Sequence, residues 1–508
     1  FTWQNPVLRG TVPDPTVIRV GGDYFLATST FEYLPGIRLF HSTDIVNWTA
    51  LGGAITRPAQ YRRDGQPGEV KLFAATLRHH GGQFYLACTN VAEGQGNFVL
   101  SAPEIEGPWS DAIWLDEEAF DPSLLFDEDG TVYYTRRTLD LSSPSDNFGP
   151  VVQAEVDLQT GTLGPMRAIT ADPHGYCSND IEGPHLYRIG DWYYLFSAEG
   201  GTWMGHMQTV ARSRSPWGPF EPAPHNPVLS HRHRVMHPIQ SLGHAELVDD
   251  PQGNWWALAL GTRHAGRHHL TGRETFLMPV VWRDGWPVLG NDGTIELEMS
   301  ATHSAATGAA ACTPEKTPWT MGWLSLAGRS QSAYFDGDAV MVPFGARYGA
   351  GAPPEQAGAL FLHQTEPEQR FEGTLPTPDT GEVIGVATIA DSAHFYSLLL
   401  ENGEEGPQVT FTRVIEDIVQ ENRKTLPSLE GWRAIVMATP EAFTFVLVAQ
   451  DGTEIEVGTG SAKLLSAETC EWFTGVKFAL LAEGARDRFA RFAEPRVDGI
   501  RASSVKTE

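Results

Sequence analysis

Hydrophobic and polar residues alternate along most of this chain, or the apolar ones form short bursts, and long stretches with helical periodicity are rare. Alternation with a period of two is typical of half-buried β-strands, and short apolar bursts are typical of fully buried strands. The pattern therefore predicts an all-β protein.

A recurring unit carries this pattern through residues 1–295: a turn with Gly or Asp, then one or two aromatic residues, then a β-rich run. Its copies are GGDYFLATST from residue 21, GGQFYLACTN from 81, EDGTVYYTRR from 128, IGDWYYLFSAEGG from 189 and PQGNWWALALGTR from 251. They recur roughly every 50–60 residues, close to the length of a propeller blade. The repeat predicts a five-bladed β-propeller, and an all-β sandwich or barrel array without radial closure is the alternative.

The amino-acid composition changes after WPVLGNDGTIELE. The next stretch, SATHSAATGAAACTPEKTPW, is rich in Ala, Ser and Thr, which is typical of a linker. Beyond it, EVIGVATIA and AFTFVLVAQDGTEIEVG have strand-like patterns, and the Asp-Gly pair indicates a hairpin. We therefore predict a β-propeller over residues 1–298, a linker over 299–318 and a β-sandwich over 319–508.

Composition and charge limit the partners of the protein. The formal charge of −27 argues against nucleic acids and anionic membranes as partners. No apolar run approaches the ~20 residues of a membrane span, and no apolar secretory segment opens the chain, which starts at Phe1. A bacterial cytoplasmic and a secreted location are both open, with the cytoplasmic one favoured, and a homo-oligomer is an open arrangement.

Three acidic residues lie at matching places in the predicted blades. Asp14 lies between two prolines before the first repeated unit, Asp121 repeats this Asp-Pro signature in FDPSLLFDEDG, and Glu182 precedes the fourth unit in NDIEGPHLYRIGDWYY. Each alone is explained as a turn or capping residue. Because the inner strands of a propeller line one central channel, the three carboxylates are expected to meet in one pocket.

Such a set of carboxylates suits hydrolysis of a glycosidic bond. One carboxylic acid must protonate the leaving oxygen, and one carboxylate must activate water or attack the sugar. A third carboxylate can orient the acid and raise its pKa by repulsion between like charges.

The sequence resembles glycoside hydrolase family 43 over its whole length. The resemblance is strongest in VPDPTVIRVGGDYFLATSTFEYLPGIRLFHSTDIVNW, FDPSLLFDEDG, EGPHLYRIGDWYYLFSAEGGT, GHAELV and GRETFLMPV. It implies a five-bladed propeller and an inverting hydrolase that requires no cofactor for its chemistry. It also implies that Asp14 is the general base, Asp121 the pKa modulator and Glu182 the general acid.

The resemblance implies further roles around these carboxylates. Arg273 of the GRET segment would contact sugar hydroxyls, with a surface salt bridge as the alternative. His244 of GHAELV would lie near the channel centre beside a structural Ca²⁺, although a lone His is more often a hydrogen-bonded core residue. Phe31 would stack on the sugar, with blade packing as the alternative, and Trp203 of TWMG is a candidate for substrate stacking at the rim.

One departure from the family affects the expected substrate. Classical β-xylosidases of this group have Trp-Ala-Pro after the turn of the second blade, whereas this chain has Phe73 in place of Trp and Ala75 in place of Pro. The altered pocket wall shifts the expectation from a β-xylosidase towards an α-L-arabinofuranosidase. Two His-rich stretches, HRHRVMHP and GTRHAGRHHL, are typical of solvated loops with occasional metal affinity, or they shape the outer part of the pocket.

The sequence therefore predicts an exo-acting inverting glycoside hydrolase that releases terminal α-L-arabinofuranosyl residues, and β-D-xylosyl residues as a second activity. Its expected partners are plant cell-wall oligo- or polysaccharides derived from arabinoxylan or arabinan. The alternatives are a β-D-xylosidase acting on xylo-oligosaccharides, a retaining fructan enzyme of the family 32 type, a transferase or lyase on a similar scaffold, and a non-catalytic carbohydrate-binding propeller.

Overall fold

The computed structural model describes residues 1–139, 149–170, 175–349, 351, 353–498 and 500–501. This part of the chain divides into two compact units. Unit 1 comprises Phe1–Glu32, Gly36–Arg263 and Glu274–Thr313. Unit 2 comprises Tyr33–Pro35, His264–Arg273 and the described residues from Pro314 onward. The boundaries predicted from the sequence, with a separate linker over 299–318, stay a prediction.

Within the described part of unit 1, five antiparallel sheets follow one another along the chain and form the five predicted propeller blades. Blade 1 contains Thr16–Val20, Asp23–Thr28, Gly36–Ser42 and Thr49–Ile55, and blade 2 contains Thr76–His80, Gln83–Asn90, Gly96–Ala102 and Ile113–Trp114. Blade 3 contains Ser123–Phe126, Val132–Arg136, Val152–Asp157, Thr162–Leu163 and Arg167–Ala168. Blade 4 contains Ile181–Ile189, Trp192–Glu199, Met207–Ser213, Glu221–Pro222 and Leu229–Ser230. Blade 5 contains Ile239–Asp249, Trp255–Arg263, Arg273–Arg283 and Trp286–Leu289.

The aromatic repeat of the sequence forms the second strand of each blade. In blade 1, Val20 pairs with Asp23, so that Gly21 and Gly22 form a two-residue hairpin turn. Gly21 has a φ of 62°, a left-handed conformation that glycine adopts without steric cost and that two-residue hairpins need. The turn chemistry recognised in the sequence therefore fixes the register of the inner hairpins.

The first strand of each blade lies innermost. The first strands of blades 1, 2 and 3 contact one another in turn, and those of blades 5 and 1 are also in contact. The N-terminal strand Thr2–Gln4 pairs with Glu298–Ser300, and the Asn5 side-chain amide donates to the Leu277 carbonyl oxygen at 2.9 Å. These bonds join the first and last segments of unit 1, and the matching ends of the inner strands can face one channel.

Unit 2 is a β-sandwich of two large sheets, as predicted for the C-terminal domain. The first sheet contains, in spatial order, Ile418–Thr425, Gly406–Ile415, His394–Gly403, Val383–Asp391, Lys477–Glu483, Ala359–His363, Trp323–Leu326 and Tyr33–Leu34. The second contains Tyr334–Asp336, Ala339–Pro343, Phe489–Val497, Gln369–Thr374, Arg433–Ala438, Ala442–Val448 and Glu454–Ser461, with Ile500–Arg501 paired to Phe489–Val497. The Phe371 and Phe478 rings stack between the sheets with centroids 5.1 Å apart.

Helices are short in the part of the chain that the structure describes. The 3-10 helices are Pro58–Gln60, Arg329–Ser332, Pro354–Gln356 and Ala462–Leu465, and the α-helix is Ala467–Cys470. None of these described helices has the length and apolar character needed to cross a membrane.

Candidate active site

The three predicted carboxylates occupy equivalent positions in blades 1, 3 and 4. Asp14 lies two residues before Thr16–Val20, Asp121 lies two residues before Ser123–Phe126, and Glu182 is the second residue of its inner strand. Asp14 and Asp121 have φ values of 53° and 59°, a conformation that is uncommon outside glycine but is tolerated by Asp. The repeated Asp-Pro signature thus gives both residues the same local backbone, and both side chains are buried.

Both carboxylate oxygens of Asp14 are held by neighbouring side chains. The Ser29 hydroxyl donates to Oδ2 at 2.7 Å, and Nδ1 of His244 lies 3.1 Å from Oδ1. Burial lowers the pKa of His244, but the hydrogen bond to Asp14 and the nearby carboxylates outweigh this effect and raise it to about 9. At neutral pH an imidazolium therefore donates to Asp14 and holds its carboxylate in one orientation.

Asp121 and Glu182 form a second pair of interacting carboxyl groups. The backbone N–H of Gly183, the residue after Glu182, donates to Oδ2 of Asp121 at 2.9 Å. Burial, followed by repulsion from the Glu182 carboxylate, raises the pKa of Asp121 to about 7. Asp121 therefore keeps a proton up to near neutral pH, while Asp14 faces a cation.

Gly183 links this pair to His244. Its φ is 54°, and a Cβ atom at this position would lie 2.6 Å from Nε2 of His244. Both the backbone conformation and the lack of space require glycine here. The Glu-Gly sequence at residues 182–183 therefore allows the acid, Asp121 and His244 to lie together.

Arg137 holds Glu182, and the sequence alone did not reveal this role. Its Nη1 donates to Oε2 of Glu182 at 2.6 Å, its Nη2 lies 3.6 Å from Asp180, and its side chain is 1% exposed. The guanidinium also lies 4.6 Å from the centroid of the Phe120 ring. The available signal was the tandem Arg pair in YYTRRT, of which Arg136 instead binds Asp116 at 2.9 Å.

Comparison with known proteins identifies the family of this arrangement. The sequence profile described as Glycosyl hydrolases family 43 matches residues 3–287. The chain belongs to glycosyl hydrolase family 43. It is a glycoside hydrolase, and enzymes of this family invert the configuration at the anomeric carbon.

Similar proteins extend this family 43 assignment over both units. The chain is 35% identical to a protein named non-reducing end α-L-arabinofuranosidase BoGH43B from Bacteroides ovatus, over 95% of this chain and 92% of that protein. It is 41% identical to a xylosidase/arabinosidase from Butyrivibrio fibrisolvens, over 58% of each chain. A solved structure described as Bacteroides ovatus xyloglucan PUL GH43B superimposes with a TM-score of 0.86 at 32% identity, covering 97% of this chain and 98% of that one.

Aromatic residues of blades 1 to 3 pack beside the carboxylates of this family 43 enzyme. Phe31 lies 5.7 Å from Phe73, and Phe73 lies 5.4 Å from Phe120, all in edge-to-face arrangements. Phe120 in turn carries the Arg137 guanidinium on its ring. Phe31 is only 2% exposed, so inter-blade packing is observed for its ring, and its stacking on a sugar stays a prediction.

Trp203 and Arg273 are two further predicted substrate-binding residues. Trp203 is 42% exposed, and its carbonyl oxygen accepts a hydrogen bond from the His206 N–H at 3.0 Å. Arg273 belongs to unit 2, where its guanidinium lies 5.2 Å from the Phe473 ring centroid. Their contacts with substrate stay predictions.

A second buried ionic network is centred on Glu246. Glu246 is fully buried; its Oε2 accepts from the Thr16 hydroxyl at 3.1 Å and the Val17 N–H at 2.9 Å. Its Oε1 lies 3.0 Å from Nη1 of Arg78 and 2.8 Å from Nδ1 of His185. Glu246 thereby connects blade 5 with blades 1, 2 and 4.

The charges of this network are well compensated. Burial would raise the pKa of Glu246, but Arg78 and His185 outweigh it and lower the pKa to about 2. The His185 ring also stacks on His244, with centroids 5.6 Å apart. The buried network therefore supports the imidazole that orients Asp14, and the Glu of GHAELV has a structural role that the sequence pattern did not reveal.

We expect Glu246→Gln to lower the free energy of unfolding by roughly 3 kcal/mol, because it leaves the Arg78 cation buried without its counterion. Denaturant unfolding followed by tryptophan fluorescence measures this loss. The matched control is Glu221→Gln, since Glu221 is exposed and its ion pair with Arg212 spans 3.9 Å, and we expect a change below about 0.5 kcal/mol. Equal stability of the two variants would contradict a structural role for the network.

Proposed function

We propose that this family 43 enzyme is an exo-acting inverting glycosidase that releases terminal α-L-arabinofuranosyl residues from plant cell-wall saccharides. The observation that carries the proposal is the difference in surroundings between Asp14 and the other two carboxyl groups. Asp14 is bound by a protonated imidazole, whereas burial and repulsion from Glu182 raise the pKa of Asp121 to about 7. A fixed base and a protonated acid are the two groups that inversion needs.

Asp14 acts as the general base in this proposal. A water molecule on the far side of the anomeric carbon gives its proton to the Asp14 carboxylate as its oxygen bonds to that carbon. His244 and Ser29 are positioning residues, because they hold the two oxygens of Asp14 and leave the carboxylate little freedom to rotate. Fixed orientation of the base lowers the entropic cost of reaching the transition state.

Glu182 acts as the general acid, and Asp121 modulates it. As the glycosidic C–O bond breaks, Glu182 gives its proton to the leaving oxygen, and solvent restores both carboxyl groups afterwards. Asp121 is bound to the backbone at Gly183 and lies deeper than Glu182, which suits an electrostatic role rather than proton delivery. Arg137 keeps the Glu182 carboxyl in place.

Two observations support arabinofuranosidase activity. The relative from Bacteroides ovatus, which matches this chain over nearly its whole length, is named for removal of α-L-arabinofuranosyl groups from non-reducing ends. In addition, Phe73 replaces the Trp of classical β-xylosidases and packs against Phe31. β-D-Xylosidase activity on xylo-oligosaccharides is the second candidate, because another relative is named xylosidase/arabinosidase.

The proposed chemistry uses carboxyl groups alone and therefore requires no cofactor. A structural Ca²⁺ at His244 does not fit the side chains there. Nδ1 of His244 is engaged by Asp14, its ring is protonated at neutral pH, and both Asp14 oxygens already accept hydrogen bonds. Ca²⁺ prefers six to eight oxygen ligands, and these side chains do not provide such a set.

Proton NMR of the first anomer released tests both mechanism and substrate. We expect β-L-arabinose first from an arabinoxylan oligosaccharide with terminal α-L-arabinofuranosyl groups, because inversion reverses the anomeric configuration. A parallel reaction with xylobiose measures the second activity, for which inversion would give α-xylose. Release of α-L-arabinose first would contradict the base and acid roles, and faster release from xylobiose would make the enzyme a β-xylosidase.

A further inference from the structure

A cluster of metal-ligating side chains lies in unit 2, and the proposed mechanism does not use it. His264 and His269 come from the His-rich stretch GTRHAGRHHL, and Glu468 comes from the helix Ala467–Cys470. One ligand atom from each residue lies within 4.8 Å of the other two. We call this group the His-His-Glu cluster.

The distances in the His-His-Glu cluster are close to those of a tetrahedral metal site. Oε1 of Glu468 lies 2.7 Å from Nδ1 of His269 and 3.5 Å from Nε2 of His264. A zinc ion bound tetrahedrally at about 2.0–2.2 Å from each ligand places neighbouring ligand atoms roughly 3.3 Å apart. The two measured distances lie on either side of this value, so small side-chain movements would suffice.

The protein backbone holds these ligands in place. The backbone N–H of His269 donates to Oε2 of Glu468 at 3.2 Å, which directs Oε1 towards the two imidazoles. The Val476 N–H donates to the Leu270 carbonyl oxygen at 2.7 Å, and Nε2 of His268 lies 3.0 Å from the Pro440 carbonyl oxygen. The bond from the His269 N–H orients the Glu468 carboxylate before a metal arrives, and the other two bonds fix the segment that carries His269.

We propose that His264, His269 and Glu468 bind one Zn²⁺ ion, with water as the fourth ligand. Two imidazoles and one carboxylate are a ligand set that Zn²⁺ favours, whereas Ca²⁺ requires more oxygens. The His imidazoles are largely buried, while the Glu468 side chain is partly exposed and leaves a path for the ion.

The ion would have a structural role within unit 2. It would join two segments whose ligands His269 and Glu468 are 199 residues apart in the chain. The same two segments also meet where the Arg273 guanidinium lies over the Phe473 ring. Bound Zn²⁺ therefore stabilises the folded form by mass action and holds these segments together.

Zinc titration of the full chain, purified without a polyhistidine tag and stripped of metal, tests the proposal. Competition with a chromophoric chelator gives stoichiometry and affinity, and thermal unfolding gives the stabilisation. We expect one ion per chain and a higher Tm with Zn²⁺. The variants His264→Gln, His269→Gln and Glu468→Gln should each weaken Zn²⁺ binding at least about 10-fold, which corresponds to about 1.4 kcal/mol.

Two control variants distinguish binding at this site from binding by a nearby thiol or by the other His-rich stretch. Cys470→Ser removes a thiol from the same helix, and His233→Gln removes an exposed His from the other His-rich stretch. Both should bind Zn²⁺ as the unmodified chain does. Absence of tight binding in the unmodified chain, or unchanged binding in the Glu468→Gln variant, would overturn the proposal.

X-ray absorption of the Zn²⁺-loaded unmodified chain keeps the test decisive if a ligand variant fails to fold. The proposal predicts two imidazole nitrogens and two oxygens around zinc, one from the carboxylate and one from water. A sulfur ligand would assign the ion to a cysteine, and a coordination shell of oxygens alone would assign it to surface carboxylates. Either spectrum would rule out the His-His-Glu cluster as the binding site.

Discussion

Replacing Asp14 by Asn is expected to lower kcat by about 10³–10⁴-fold on every glycoside that the enzyme cleaves, because no other group activates the attacking water. Asn has nearly the same shape and can still accept the Ser29 hydrogen bond, so the fold should persist. Steady-state kinetics on an arabinoxylan oligosaccharide and on an aryl α-L-arabinofuranoside measure the loss. Circular dichroism verifies that the variant is folded.

Glu182→Gln provides the contrasting result. A general acid matters most when the leaving group is poor, so this variant should lose about 10³-fold on the oligosaccharide but much less on an aryl glycoside with a strongly acidic phenol. Glu155→Gln is the matched control, since Glu155 is exposed on an outer strand of blade 3, and it should retain full activity. If Asp14 and Glu182 variants suffer equally on both substrates, the assigned roles are wrong.

The sequence predicted the propeller well because blade formation depends on local features. The inner hairpins of blades 1, 2 and 4 have two-residue turns, those of blades 3 and 5 have longer ones, and Gly or Asp residues mark all five in the sequence. The repeated Asp-Pro signature also corresponds to a repeated local structure, since Asp14 and Asp121 have nearly the same φ. Features that each blade specifies within a few residues can be recognised from sequence alone.

The supporting residues of the site could not be predicted in the same way. Arg137 binds Glu182 across 45 residues, and Glu246 binds Thr16 across 230. Which of two consecutive arginines faces the channel depends on the register of the strand that carries them, and the pattern YYTRRT does not determine it. Long-range polar contacts thus require the assembled blades.

The sequence also contained no sign that short segments from the propeller region belong to unit 2. Strand Tyr33–Leu34 pairs with Trp323–Leu326, although it lies between two strands of blade 1 in the sequence. Its composition resembles that of the neighbouring blade strands, so the sequence does not distinguish it from them. The linker predicted from the Ala-rich stretch was based on composition, which reports flexibility and polarity rather than contacts.

Asp121 shows how the catalytic arrangement lowers stability. Its pKa is raised from an ordinary 3.8 to about 7 by burial and by Glu182. A raised carboxyl pKa in the folded state means that this group favours folding most below pH 3.8. The contribution is then lost as the pH rises through 7, because an ionised carboxylate must be kept buried.

Asp121→Asn should therefore stabilise the protein at alkaline pH while it removes most activity. Asn carries no charge and can still accept the hydrogen bond from the Gly183 N–H. We expect the free energy of unfolding of this variant, relative to that of the unmodified chain, to rise by about 2 kcal/mol between pH 5 and pH 8. We also expect kcat to fall about 10²-fold or more, because an amide replaces the carboxyl group that interacts with Glu182.

Denaturant unfolding at pH 5 and pH 8, with Asp129→Asn as the control, measures the effect. Asp129 is exposed in a turn of the same blade, so its substitution should give the same small change at both pH values. A pH-independent difference between Asp121→Asn and the unmodified chain would show that Asp121 is not held protonated by its surroundings. A gain in stability together with a loss of turnover would instead show that the buried charge is retained for catalysis at a cost to folding.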